Sequence, residues 1–176
     1  MAKSINRIHP ADVANSFVRN LLCDISDYFG GFSLNDEKKT LKYFEGLCPY
    51  TGKSLFETNV KIAYDHLVPH NRQYCGLNIF GNVILTIDKV NSKKHSKDYK
   101  TFLLNDNSVI EGTIFERKKR IEKIEKFIEI SGYNDKIINI ENLKRICEEK
   151  YQTILEMCKR NNETIISIFE KQGHGI

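Results

Sequence analysis

The sequence predicts an α+β protein in which a β-hairpin followed by a helix sits between N-terminal and C-terminal helical segments. Three observations carry that expectation. Two short segments rich in β-branched residues, Val60-Lys61-Ile62-Ala63-Tyr64 and Val83-Ile84-Leu85-Thr86, lie among turn signals at Pro49-Tyr50-Thr51-Gly52, Pro69-His70-Asn71 and Gly81-Asn82. Apolar residues recur at helical spacing before position 45 and again after position 113. Between them the order is strand, loop, strand, helix. The chain divides accordingly into an N-terminal helical segment (1–45), a hairpin–helix core (46–100) and a C-terminal helical hairpin (101–176). With 176 residues these three form one compact domain.

Each element has a local reason. Pro10-Ala11-Asp12 opens a helix, because proline suits the first helical position, and Gly30-Gly31 stops it near Tyr28. Its expected inward face is Val13, Phe17, Leu21 and Ile25. A second helix runs from a cap at Asn35 or Asp36 to about Phe44, with Leu41 and Phe44 inward. After the second strand a polar helix is expected from Asp88 to Asp98. From Thr113, Ile114, Ile121, Ile124 and Ile128 keep a heptad-like spacing up to Gly132. Beyond the Asn134-Asp135 turn, Ile140, Leu143, Cys147, Tyr151, Ile154, Cys158 and Ile165 continue a similar stripe to about Phe169. These helices can pack on each other or on the core, or form the seam of a homodimer.

Composition limits the classes of function. Hydrophobic residues at 40% and charged residues at 28% describe a globular chain rather than a disordered one. No apolar run approaches the roughly 20 residues of a membrane span, and the stretch from Met1 to Arg7 has no apolar core of a secretory signal. An intracellular, cytoplasmic protein without a membrane partner is the expectation. The net charge of +4 permits a phosphate-binding face, and Lys89, Lys93, Lys94, Lys97 and Lys100 concentrate charge in one stretch. The five cysteines are odd in number and contain no C-x-x-C pair, which argues against a disulfide framework and against a four-cysteine zinc site.

Asp65-His66 at the end of the first strand stands out chemically. Hydrolysing a phosphodiester requires an activated water, neutralised charge at phosphorus and a stabilised leaving oxygen. Asp65 is a hard anionic ligand suited to Mg²⁺ or Mn²⁺. A neutral His66, with an ordinary pKa near roughly 6.5, can take a proton from water. Asn91, on the following helix, offers a neutral carbonyl oxygen. Neighbours on a strand point to opposite faces, so a distortion at the strand end is expected to bring Asp65 and His66 together.

Tyr64-Asp65-His66-Leu67-Val68-Pro69 resembles the D-H-[IL]-[VI]-P core of HNH endonucleases. Asn82-Val83-Ile84-Leu85-Thr86 followed by Asp88-Lys89-Val90-Asn91 is similar to their N-x-V-L-T…D-K-x-N segment, and Cys48-Pro49-Tyr50-Thr51-Gly52-Lys53 resembles their C-x-Y-[TS]-G turn. The likeness spans about a third of the chain, from Cys48 to Lys97, and the flanking helices lie outside it. It implies a ββα-metal core in which His66 is the general base, Asp65 and Asn91 bind one divalent cation, and Asn82 holds the loop after His66. His95, one helical turn beyond Asn91, is the reserve ligand. Many relatives carry two C-x-x-C zinc pairs. Here Thr51 stands where the second cysteine of the first pair would be and the distal pair is missing, so no structural zinc is expected.

Taken singly, each of these features has a plainer explanation. An Asp-His pair is most often a surface pair or a cap, Asn82 beside Gly81 a turn residue, and Lys93, Lys94 and Lys97 a solvated helix face. Their joint spacing is what favours a site. It makes the three lysines, with His70 and Arg72, candidate nucleic-acid contacts, while Tyr50, Tyr64 and Tyr74 read as packing residues. The resulting expectation is a metal-dependent endonuclease acting on duplex DNA, of the type II restriction kind, leaving 5′-phosphate and 3′-hydroxyl ends. A phage nicking or homing enzyme, a non-specific toxin nuclease and a catalytically silent DNA-binding module are the alternatives.

Overall fold

Helix formation begins at the expected proline. The computed structural model describes residues 9–137 and 139–171, so the N-terminal stretch read above for a signal lies outside the described residues. Helix α1 spans Pro10–Tyr28, and the Asp12 carboxylate accepts the His9 N–H at 3.1 Å. Its buried stripe is Ala14, Val18, Leu22 and Ser26. Val13 and Phe17, expected inside, are 41% and 42% exposed, while Leu21 and Ile25 pack partly against the core. The stripe is rotated because α1 lies along another long helix, which sets the face it buries. Helix α2 spans Leu34–Tyr43 and is capped by Ser33 rather than by Asn35 or Asp36: Ser33 Oγ accepts the Asp36 N–H and the Asp36 carboxylate accepts the Ser33 N–H. Phe44, just beyond, is buried with the rings of Tyr43 and Phe127.

Strands β1 (Ile62–His66) and β2 (Val83–Ile87) form a two-stranded antiparallel hairpin, running in register from Ile62 opposite Ile87 to His66 opposite Val83. β1 starts two residues later than the sequence pattern suggested, since the Val60 N–H is used in a turn to Glu57 O at 3.1 Å. Helix α3 (Asp88–Lys94) follows β2 directly and packs on both strands. It ends earlier than expected. His95 takes φ +51°, and Asp98 instead caps a separate helix α4 (Tyr99–Asn105), accepting the Thr101 N–H at 2.9 Å.

Helix α5 (Ile114–Ile130) starts at a Thr113–Glu116 capping box and buries Ile121, Ile124, Phe127 and Ile128, whereas Ile114 is exposed. A short α6 (Tyr133–Lys136) leads to α7 (Ile140–Lys171). The two long C-terminal helices find their main partners elsewhere: α5 packs on α4 and α6, and α7 runs along α1. Cys147 and Tyr151 are buried on α7, but Met157, Ile165, Ile166 and Ile168 are exposed. The architecture is mixed α+β, with seven helices and one hairpin among the described residues. No helix among them is long and apolar enough to cross a membrane.

Candidate active site

The last two residues of β1 face different surroundings. Asp65 is 5% exposed. Its Oδ2 accepts the Tyr50 hydroxyl at 2.6 Å and its Oδ1 accepts the Lys94 ammonium at 3.1 Å. Lys94 is 0% exposed and also donates to the His66 carbonyl at 2.8 Å. Burial pushes the Asp65 carboxyl above its usual range, and Lys94 and Tyr50 pull it back. The same desolvation, with the Asp65 charge beside it, raises the Tyr50 phenol. A buried ion pair with two further hydrogen bonds is the arrangement that keeps both charges tolerable inside the protein.

His66 is held differently. Its ring stacks on His70, with centroids 5.0 Å apart and planes 22° apart. Its Nε2 is buried without a hydrogen-bond partner. Desolvation, then the neighbouring His70, lower its pKa to about 4; the Asn78 side chain pulls it upward, and Lys94 adds a lesser downward contribution. The imidazole is therefore neutral throughout the physiological range, well below the ordinary value assumed from sequence. His70 is itself fixed. Its Nδ1 donates to Gly76 O at 2.7 Å, which leaves Nε2 to accept the Cys23 thiol at 3.6 Å.

The distortion expected at the strand end is not present, because Asp65 and His66 both keep ladder partners in β2. The chain leaves the ladder only at Leu67, whose N–H bonds the Asn82 carbonyl at 2.9 Å. The Asn82 side chain then closes the loop. Its Oδ1 accepts Val68 N at 2.7 Å, and its Nδ2 donates to Val68 O at 3.0 Å and Leu77 O at 2.8 Å. Gly76 lies so close to this turn that a Cβ there would stand 1.9 Å from Val68 O, which excludes any side chain.

A cleft of about 610 Å³ opens over this unit, and Asp65, His66, Asn91, His95, His70 and Arg72 all line it. Asn91 Nδ2 donates to Tyr64 O at 3.3 Å, which turns its carbonyl oxygen away as the free end of the amide. His95, at the end of α3, bonds Ser96 Oγ through Nδ1 at 3.0 Å. Its positive φ is an uncommon conformation for a non-glycine residue and falls at the cleft wall.

The lysines separate. Lys93 and Lys97 are exposed, and Lys97 sits 3.4 Å from Asp106. Lys94 is removed from the candidate nucleic-acid contacts, because its ammonium is buried under β1. Arg72 stacks on Tyr151 at 3.8 Å and pairs with Glu148 at 2.9 Å, so its guanidinium ties the loop to α7.

The donor set suits a hard divalent cation. Asp65 offers carboxylate oxygens, already engaged by Tyr50 and Lys94, and Asn91 an amide carbonyl oxygen, and both residues line the same cleft. Among the described residues no group of three or more His, Cys, Asp and Glu is arranged for a metal, a grouping that a carboxylate–amide pair does not enter. Cys48 is buried, with its sulfur 3.1 Å from Thr86 Oγ1.

Sequence reasoning missed Tyr50 as the partner of Asp65, and Asn15 and Arg19 on α1 as part of the cleft wall. The signal for the α1 residues was available in their spacing of four. The Tyr50 contact joins residues fifteen apart, and no local pattern announces it. Comparison with known protein families, curated proteins and solved structures finds no match to this chain.

Proposed function

We propose that the chain is an HNH-type, metal-dependent endonuclease whose β1–β2–α3 unit is a ββα-metal core. One observation carries the reading: His66, a neutral imidazole with an unpartnered Nε2, lines one cleft together with Asp65 and Asn91. A buried polar atom with no partner needs an explanation, and a proton acceptor held for a substrate water supplies one.

In this reading Asp65 and Asn91 would hold one Mg²⁺ or Mn²⁺, with His95 in reserve. When bound, the cation neutralises charge developing at phosphorus and on the leaving oxygen. His66 Nε2 takes a proton from water as the water oxygen bonds to phosphorus. The bond to the 3′ oxygen breaks, and that oxygen takes a proton from solvent, leaving a 5′-phosphate and a 3′-hydroxyl. Asn82, by fixing Leu67 and Val68, keeps the His66 ring at its station. Stacked His70 limits its rotation. Lys94, paired with Asp65, opposes the rise in its pKa that burial causes. A phosphodiester brought against His66 adds negative charge and raises the basicity that burial has lowered.

Duplex DNA is the proposed substrate. A symmetric double-strand cut calls for two copies, and the exposed Met157, Ile165, Ile166 and Ile168 on α7 are the proposed meeting surface. A second reading, a DNA-binding module without catalysis, is favoured by the structural use of Asp65, both of whose oxygens are engaged by Tyr50 and Lys94.

Incubating the purified protein with supercoiled plasmid and Mg²⁺ separates these readings. Discrete bands support a restriction-type enzyme, open circles a nicking enzyme and a smear non-specific cleavage. A gel shift without cleavage supports the module. Intact plasmid with no shift removes both.

A further inference from the structure

Helix α1 lies outside the hairpin–helix unit, yet it forms part of the cleft wall. Asn15 and Arg19 both line the cleft. With Cys23 they are spaced by four, which places them on one face, one position round from the buried Ala14, Val18 and Leu22. That face is anchored on the loop after His66 at two points. The Cys23 sulfur lies 3.6 Å from His70 Nε2, and Ser26 Oγ accepts the Asn78 N–H at 2.8 Å while donating to Leu22 O. The other side of α1 packs along α7. Arg19 is thus presented from a helix fixed on both sides.

The charges in the cleft give Arg19 its meaning. Arg72 is paired with Glu148, and Lys94 is paired with Asp65. Arg19 is exposed, and among the ion pairs formed by the described residues none involves it. An exposed guanidinium offers five donors, and here it faces a cleft whose single acidic group is already neutralised. The ligand chemistry that satisfies it is an anion with several oxygens, held beside His66.

We infer that α1 is the second wall of a nucleic-acid groove, in which Arg19 binds a backbone phosphate flanking the one to be cut and Asn15 supports it one turn away. The inference rests on the endonuclease reading and extends the substrate contact beyond the hairpin–helix unit. It also assigns the N-terminal helix a task besides packing.

The test measures affinity of the full chain for a labelled duplex and for the matching single strand across a salt series. EDTA is present so that the probes stay intact. Arg19→Ala is expected to weaken binding several-fold. It should also lower the slope of log affinity against log salt by about 0.9 for the duplex, or about 0.7 if the single strand is the ligand, the change for one lost phosphate contact. Arg19→Lys should restore most of the slope, since charge governs counterion release, but only part of the affinity. Because Arg19 is exposed, an unchanged thermal midpoint certifies the fold of each variant. If the parent binds nucleic acid and Arg19→Ala keeps both affinity and slope, the inference is overturned while the endonuclease reading stands. If the parent binds neither probe, both are overturned.

Discussion

Asp65 and His66 are neighbours on one strand, yet their surroundings differ in kind. On the Asp65 side every polar group is answered: the carboxylate holds Tyr50 and Lys94, and Lys94 also reaches the His66 carbonyl. On the His66 side the ring is confined by stacking on His70, but its Nε2 is left without a partner. Alternation along a strand produces the separation, and the regular ladder up to His66 preserves it. The contrast sets a carboxylate whose hydrogen bonds and charge are balanced against an imidazole whose buried Nε2 has no hydrogen-bond partner.

The largest expected effect is on the imidazole side. His66→Ala should lower plasmid cleavage by about a hundredfold to ten-thousandfold, the usual weight of a general base, while DNA affinity in a gel shift stays near normal. Full cleavage by this variant would erase the distinction between the two sides.

The carboxylate side should answer in stability. Lys94→Met leaves Asp65 buried and unpaired, and urea unfolding should show a loss of about 3–5 kcal/mol. Adding Asp65→Asn should recover part of that loss, because an amide does not need a counter-charge. A double variant less stable than Lys94→Met would mean that the pair is not the organising contact.

Acid should expose the contrast next. The folded-state pKa of His66, about 4, lies below the unfolded value of 6.5. Its contribution to stability is therefore complete above pH 6.5 and is lost as pH falls through 4, amounting to roughly 3 kcal/mol. The acid limb of kcat/KM should lie near pH 4 for the same reason. His70→Phe keeps a stacked ring but removes the charge that helps depress His66, so the limb should move upward. A limb near 6.5 in the parent would show that His66 titrates as though exposed.

The smallest effect ranks two donors. Asn91→Ala should raise the Mg²⁺ concentration for half-maximal cleavage more than His95→Ala does. The opposite order would transfer the ligand role to His95.

Much of the fold was legible because it depends on local rules. Pro10 and Gly30-Gly31 bound α1 and the β-branched segments mark the hairpin. The misreadings share a cause. Which face of α1 is buried, where β1 begins and where α3 stops all depend on contacts with distant elements. Lys94 is the plainest case. In sequence it belongs to a run of solvated lysines, and only the α3–β1 packing shows it beneath Asp65.

By itself the sequence determined most element types and the α+β class, since dihedral preference and periodicity act over a few residues; the grouping of Asp65, His66, Asn82 and Asn91 is what the resemblance to the HNH pattern implies. Tertiary structure alone decided which polar groups are satisfied and which are left open. Tyr50 and Lys94 close on Asp65, Cys23 and Gly76 fix His70, and α1 carries Arg19 to the cleft. Burial, and with it the pKa of His66, comes from segments brought together across the chain, and a local pattern has no means of encoding that distance.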